Sequence, residues 1–333
     1  MSNKNIKRLF QKKIVFFMIF SVVLFNFTGC KVEKSELLDG SIASLGDTEK
    51  QSDMKESDAL DYLSDGVCVV DSSVSFEDNE NITSYSALVL NETTGEMLYE
   101  KDMYAKIYPA SVTKVLTALV ALENCSLNEK VTFSYDATHI EEDGAVLCGF
   151  DEGDKISLKN LLYCMLIFSG NDAAYAIAEH VGGDVDTFYE MMNQKAMDIG
   201  CVNSHFVNAN GLHDKDHYTT AYDMYLIFRQ AVTYNIFRKI INTSRYEVPY
   251  KNAAKESHTM IVTTTNSYVS GSLQPPANVH VIGGKTGTTS DAGCCLALYS
   301  KDKSDNYYIS IIFHAGDSYQ LYSQMNELLS YIS

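Results

Sequence analysis

The sequence predicts a mixed α/β fold of the α+β kind, a single unit whose first and last segments share one antiparallel sheet while helices fill the stretch between. Three observations point there. Past Ile82 the polar text gives way to SYSALVLNETTGEMLYEKD, in which two apolar runs flank Asn91-Glu92-Thr93-Thr94-Gly95, a hairpin signature. From Ser111 to about Val232, apolar residues recur at three- and four-residue spacing, the period of helices with one buried face. Beyond Val279 the pattern returns to short apolar runs bounded by turns.

Each element can be read in order. The hairpin opens the folded part. Helices are expected over Ser111 to Glu123, Ser157 to Phe168, Asp172 to Val181, Asp184 to Ile199 and Thr220 to Val232. Thr220 and Asp223 stand at capping-box spacing at the start of the last. Strands follow at Val279–Ile282 leading into Lys285, at Gly293–Lys301 and at Asn306–His314, with KDKSDN as the turn between the last two. Asp317 to Ile332 has the pattern of a closing helix, and no internal repeat is visible.

The chain has 333 residues, 46% of them hydrophobic, enough for one large core or two modest ones. Its formal charge of −17 argues against a nucleic-acid partner, since phosphate binding needs clustered Lys and Arg. Residues 1–29 carry five basic side chains and no acid. MSNKNIKRLFQKK leads into the apolar run IVFFMIFSVVLFNF, about fourteen residues and short of the roughly twenty that span a bilayer. Such a run suits a signal peptide. Phe27-Thr28-Gly29-Cys30 then resembles the lipobox of bacterial lipoproteins, with Phe27 where Leu is usual. The reading is a lipoprotein-type signal over 1–29, lipidation of Cys30 as the mature N-terminus, and a protein held at the extracytoplasmic face of the membrane. Residues 31–82, with fourteen acids against four lysines, cannot bury enough surface to offset ordering entropy, so 30–82 is assigned as an acidic flexible tether and 83–333 as the folded domain. Seven cysteines remain once Cys30 is set aside. Cys164 in LLYCMLIF and Cys295 in GCCLALY sit in apolar runs, where a thiol behaves as a small hydrophobe, so mostly free core thiols are expected.

Chemistry is concentrated in three short motifs. YPASVTKVLTALVALEN begins a buried helix, yet its first turn carries Ser111 and, three positions on, Lys114. Residues three apart are neighbours on a helix, so the amine can reach the hydroxyl. A serine needs a base, and a lysine can be that base only if burial or a nearby cation lowers its pKa. Unpaired N–H groups at a helix start suit an oxyanion. By itself S-x-x-K is equally an exposed polar pair. Ser169-Gly170-Asn171 lies at a junction between two helices, where a simple turn is the plain alternative. Lys285-Thr286-Gly287 follows VHVIGG, and a Gly-rich edge strand lets a ligand backbone lie close and pair with it.

In this order, S-x-x-K, S-x-N and K-T-G resemble the penicillin-binding protein and serine β-lactamase superfamily. The S-G-N form, with PASVTKVLTALVALE, FSGNDAAYAIAEHVGG, NGLHDKDHYTTAYD and GGKTGTTSDAGCCLAL around the motifs, is similar to the serine D-alanyl-D-alanine carboxypeptidases of the S11 family over residues 83–333. The resemblance implies a β-lactamase/transpeptidase-like fold, with a helical subdomain inserted in the sheet. It implies Ser111 as nucleophile, Lys114 as its base and Ser169 as the proton relay beside the leaving amine. Asn171 would orient Lys114 or the substrate amide. Lys285 would keep Lys114 neutral and, with Thr286, bind the substrate carboxylate. The amides of Ser111 and Thr288 would form the oxyanion hole. The substrates implied are peptidoglycan pentapeptide stems, with β-lactam antibiotics acylating the same serine.

The sequence lacks the E-x-x-L-N segment of class A β-lactamases, which favours a carboxypeptidase over the alternative of a β-lactamase. A second alternative is a non-hydrolysing β-lactam sensor or wall-binding protein. The resemblance further suggests that the second β-rich domain and C-terminal anchor of many relatives are missing, with Cys30 supplying the anchor. Between Asn266 and Lys285 there is no Arg, where some relatives have one near the substrate carboxylate; a longer SYVSGSLQPPANVH insert stands there. His213 and His217 are four apart in HDKDH and raise a zinc hypothesis. A serine mechanism needs no metal or other cofactor, and the two are assigned loop-ordering roles. Asp172 is read as helix N-terminal charge and Glu179 as solvent face, while Tyr108 and Pro109 set the approach to the nucleophile helix.

Overall fold

A computed structural model describes residues 79–142 and 144–332. The signal segment, Cys30, Cys68 and the tether up to residue 78 lie outside the described residues. Residues 79–82, assigned to the tether from sequence, are seated on the folded body. Ile82 is buried, and Asn79 donates to Glu327 Oε1 at 2.8 Å.

The main sheet has the order β2-β1-β9-β8-β7, antiparallel throughout. Its strands are β1 Ser86–Asn91, β2 Met97–Lys101, β7 His280–Thr289, β8 Gly293–Lys301 and β9 Tyr307–Ala315. The expectation that the two ends of the chain share one sheet therefore holds, with Ser86 opposite Phe313 and Asn91 opposite Tyr308. Side chains alternate between its faces. Leu88, Leu90, Ala297, Ile309 and Ile311 join the large core with the helices. Ala87, Val89, Leu296, Leu298 and Ile312 join a second core under the closing helix.

The helices are α1 Lys114–Asn124, α2 Tyr135–Thr138, α3 Leu158–Tyr163, α4 Asn171–Gly182, α5 Val185–Asp198, α6 Ala221–Ala231, α7 Asn235–Ile241, α8 Ser267–Ser270 and α9 Ser318–Ser330. None of the helices among the described residues is long and apolar enough to cross a membrane. Val115, Leu116, Leu119 and Val120 of α1 are buried, as their spacing requires. The caps follow the sequence: Ser157, Asp184, Thr220 and Asp317 each accept a first-turn backbone N–H.

A second sheet, β3-β4-β5-β6, is not among the elements read from sequence. Its strands, Lys130–Thr132, Lys155–Ser157, Arg245–Lys251 and Ser257–Thr263, bury only a residue apiece. Strands that shallow show no clear two-residue hydrophobic period, and Pro249 inside β5 argues against a strand. Aromatic stacking fastens this sheet to α3: the rings of Tyr163 and Tyr246 lie 3.6 Å apart, centroid to centroid.

Candidate active site

Ser111 lies in a 3-10 turn, Ala110–Thr113, that feeds α1, rather than in the α-helix expected from Ser111 onward. Residues three apart eclipse in a 3-10 turn, so Lys114 is brought squarely over Ser111. Its Nζ is 2.8 Å from the Ser111 Oγ. The turn is pinned on two sides. Ala110 holds a left-handed φ of 46°. A Cβ on Gly211 would stand 1.9 Å from the Ala110 carbonyl oxygen, and one on Gly287 would stand 2.9 Å from the Ser111 amide nitrogen. Only glycine permits both approaches.

Lys114 is wholly buried, and its Nζ also reaches Asn171 Oδ1 at 2.7 Å and the Asn210 carbonyl at 2.6 Å. Both of those oxygens can only accept. A neutral amine therefore gives its two N–H groups to them and leaves its lone pair facing the Ser111 hydroxyl. Burial, first, and the neighbouring Lys285 amine, second, hold Lys114 well below the usual lysine pKa against the opposing pull of Asp172. The resemblance gives that task to Lys285; desolvation is the larger cause.

Lys285, also wholly buried, projects from β7. Its Nζ donates to the Ser169 Oγ at 2.9 Å and to the Thr286 carbonyl at 2.7 Å. Burial draws its pKa down to about 7. Ser169 thus reaches the lysine of the third motif, while Asn171 reaches that of the first. The break between them has a local cause. After α3 the chain winds through one π turn, Cys164–Phe168, whose wider winding carries Ser169 out of the helical path into a left-handed φ of 73°. Such a conformation costs a non-glycine residue about 1–3 kcal/mol and gathers at functional sites. At Gly170 a Cβ would stand 2.4 Å from the Cys148 Sγ and 2.8 Å from Asp172 Oδ1, so a side chain there would require both of those side-chain tips to move. A hydrogen bond to Cys164, together with burial, keeps the Cys148 thiol protonated. Asp172 is buried, accepting from the Gly149 amide at 3.0 Å. Glu179 is half-buried rather than on a free solvent face, and takes the Ser134 hydroxyl at 2.7 Å.

Ser111, Ser169, Thr286, Gly287 and Thr288 line one cleft of about 250 Å³. Since β7 is the outer strand of the sheet, it borders the cleft with an edge that no strand among the described residues covers. The Thr286 hydroxyl is bonded to that of Thr265. The insert after Asn266 forms part of the far wall: Asn266 caps α8, Ser267 donates to the Tyr322 hydroxyl at 2.9 Å, and Tyr268 stacks edge-on against Tyr322 of α9.

His217 is buried behind the nucleophile turn. Its Nδ1 accepts from the Val207 amide at 3.1 Å, which leaves Nε2–H to donate to the Thr113 hydroxyl at 2.8 Å. Burial pulls its pKa down to about 3. His213 packs edge-on against Tyr108. Both histidines brace the loop and the turn. Pro109 occupies the cap of the 3-10 turn. Sequence reasoning missed Asn210, whose contribution is a backbone oxygen; the Asn-Gly step at 210–211 was the available signal of a turn there. It also missed Thr265 and Tyr322, which only the fold brings to the cleft. Cys125, Cys148, Cys164, Cys201, Cys294 and Cys295 are free thiols, four of them buried.

Comparison with known proteins agrees with this geometry. The family model Peptidase S11, D-alanyl-D-alanine carboxypeptidase, matches residues 73–316. The D-alanyl-D-alanine carboxypeptidase DacF of Bacillus subtilis is 29% identical over 251 residues, 74% of this chain and 61% of that protein. DacC of Escherichia coli, of the same description, is 27% identical over 252 residues, 73% of this chain and 60% of that protein. The match thus spans about three fifths of those two relatives. Among solved structures, the Streptomyces K15 DD-transpeptidase superposes with a TM-score of 0.70 at 26% identity, covering 78% of this chain and 98% of that one. The carboxypeptidase DacD of Francisella tularensis gives a TM-score of 0.65 at 26% identity, over 80% of this chain and 74% of its own. The fold is accordingly that of the penicillin-binding enzymes, and the chain belongs to the S11 peptidase family of D-alanyl-D-alanine carboxypeptidases.

Proposed function

We propose that this protein is an exported serine D-alanyl-D-alanine carboxypeptidase, removing the terminal D-alanine from peptidoglycan stem peptides through an acyl-enzyme on Ser111. The observation that carries the reading is the Lys114 amine, buried and flanked by two obligate acceptors, with its remaining valence on the Ser111 hydroxyl.

The steps follow from the groups present. A stem peptide lies along β7, its backbone paired with the uncovered edge. Lys114 takes the proton as Ser111 Oγ attacks the penultimate carbonyl; a placed general base is worth about 10²–10⁴ in rate. The amides of Ser111 and Thr288 receive the oxyanion, each donor worth about 3–4 kcal/mol in comparable sites. Ser169 relays the proton that Lys114 took to the departing amine, which leaves Lys114 neutral to take a proton from the attacking water, with Lys285 behind Ser169. The terminal carboxylate meets Thr286 and the Thr265 hydroxyl beside it, in the field of Lys285. Water then cleaves the ester and frees the shortened stem. A β-lactam presents its strained amide at the same position, so penicillin binding belongs to the proposal. Cys30, lipidated after removal of residues 1–29, would hold the domain at the outer face of the membrane, with the acidic segment as its reach.

The test uses Ser111→Ala. It loses both covalent labelling by a fluorescent penicillin and release of free D-alanine from a pentapeptide ending in D-Ala-D-Ala. Continued release by that variant rejects Ser111 as the nucleophile.

A further inference from the structure

The end of α1 remote from Lys114 gathers three groups that the proposed reaction leaves unused. Cys125 caps that end, Glu129 closes the turn from Ser126 that precedes β3, and His180 stands in the last turn of α4. The thiol, a carboxylate oxygen and a ring nitrogen all lie within 4.8 Å of one another. His180 Nε2 is 3.0 Å from Glu129 Oε2, and the other Glu129 oxygen accepts from the Ser126 amide at 2.5 Å.

We infer that Cys125, Glu129 and His180 form a binding site for a divalent transition metal of the zinc type, with its fourth position open to water. The donor set is one sulfur, one imidazole nitrogen and one carboxylate oxygen, the mixture that selects zinc-like ions over calcium or magnesium. Bonds of about 2.0–2.3 Å to a tetrahedral centre place ligand atoms roughly 3.3–3.8 Å apart. The observed spacing reaches that through small side-chain rotations. Cys125 and His180 are half-buried while Glu129 is more open, which leaves a way in for the ion. The Ser126 amide holds the carboxylate, as outer partners of metal ligands do. Without a cation the arrangement is unfavourable for the thiol: burial and then the Glu129 charge push its pKa up. An ion at the centre turns that charge into a partner and releases the thiol proton to solvent. The site would fasten α1 to α4, the helices that supply Lys114 and Asn171 at their other ends, about 16 Å and about 14 Å away along the two axes. It does not depend on Ser111 being a nucleophile.

The experiment titrates Co²⁺, then Zn²⁺, into the chelator-stripped full-length protein and its Cys125→Ser, His180→Ala and Glu129→Gln variants. The expected result is one Co²⁺ per chain, with thiolate-to-cobalt charge transfer in the near ultraviolet and the strong visible bands of tetrahedral cobalt, both abolished by Zn²⁺. Zn²⁺ at a hundred times its dissociation constant raises the melting midpoint by about 5 °C or more. Each variant binds at least about tenfold more weakly, and Cys125→Ser loses the charge-transfer band. Melting without metal shows whether the variants are folded, and Glu129→Gln, being the most exposed change, serves if the others are not. Absence of a cobalt spectrum in the wild type, or an unchanged one in Cys125→Ser, overturns the inference and leaves a hydrogen-bonded cluster only.

Discussion

Replacing Gly287 with alanine tests how closely the nucleophile turn and β7 are matched. The added Cβ would stand 2.9 Å from the Ser111 amide nitrogen, 3.0 Å from that of Val112 and 3.1 Å from the Ala110 Cβ. Ordinary contact begins near 3.4 Å, so strand and turn must part by about half an ångström. None of the three neighbours is the tip of a flexible side chain, and each belongs to a turn already held by Gly211 on its other side. Forced overpacking of this kind costs about 1–3 kcal/mol of stability. The effect on chemistry should be larger in proportion. Separation of the Ser111 and Thr288 amides slackens the proposed oxyanion hole, and a misplacement of about 1 Å can cost 10² in rate. We expect acylation by a fluorescent penicillin to slow roughly 10- to 100-fold, with a melting midpoint lowered by a few degrees. Acylation within twofold of wild type in the folded variant would refute the reasoning, because the strand and turn would then have slack that the contacts deny.

Two further predictions concern protons. His217 is neutral in the fold with a pKa of about 3, against 6.5 for the free side chain. As pH falls below 6.5 the unfolded chain takes up the proton first, so stability is full above that value and is lost towards pH 3. The loss amounts to about 2–3 kcal/mol by about pH 4.5. His217→Gln should therefore flatten the decline of melting midpoint between neutral and acid pH, and an unaltered slope would speak against the assignment. Lys285 has a folded pKa of about 7, below the 10.5 of a free lysine, so the unfolded chain binds more protons between those values and stability rises with pH across that window. A Lys285→Met variant lacks this dependence. Its melting midpoint relative to wild type should be most favourable below pH 7 and fall steadily towards pH 10, measured by calorimetry.

Much of the fold was legible because its helices bury one face and the strands of its main sheet bury both. The run Val112, Val115, Leu116, Leu119, Val120 announced α1, and the short apolar runs of β8 and β9, buried almost throughout, announced the sheet. β3 to β6 were not legible, for the opposite reason: they lie on the helical body through single residues such as Val248 and Val262, and their polar remainder reads as loop. The site divides in the same way. Side chains with intrinsic chemistry, Ser111, Lys114, Ser169, Asn171 and Lys285, were readable by type and spacing. Groups that act through position alone were not. The carbonyl of Asn210 would serve Lys114 whatever side chain stood at 210. Gly170 lies against the Cys148 thiol, twenty-two residues earlier in the chain, a contact that only the fold creates. The 3-10 turn around Ser111 reflects pressure from Gly211 and Gly287, which approach from distant parts of the chain.

The seam between β1 and β9 also sets a schedule. The hairpin that leads the domain finds its other neighbour only when residues 308 to 313 have arrived, and β7, with the second lysine, is itself made late. Synthesised from its amino end, the chain stays unfinished until nearly all of it exists, and Ser111 and Lys285 stay apart for as long. A polypeptide that is threaded extended through a translocation channel gains from that delay. On the proposed export, this chain would remain soft enough to pass and chemically idle in transit, its site assembling only where its closing strands meet the opening one.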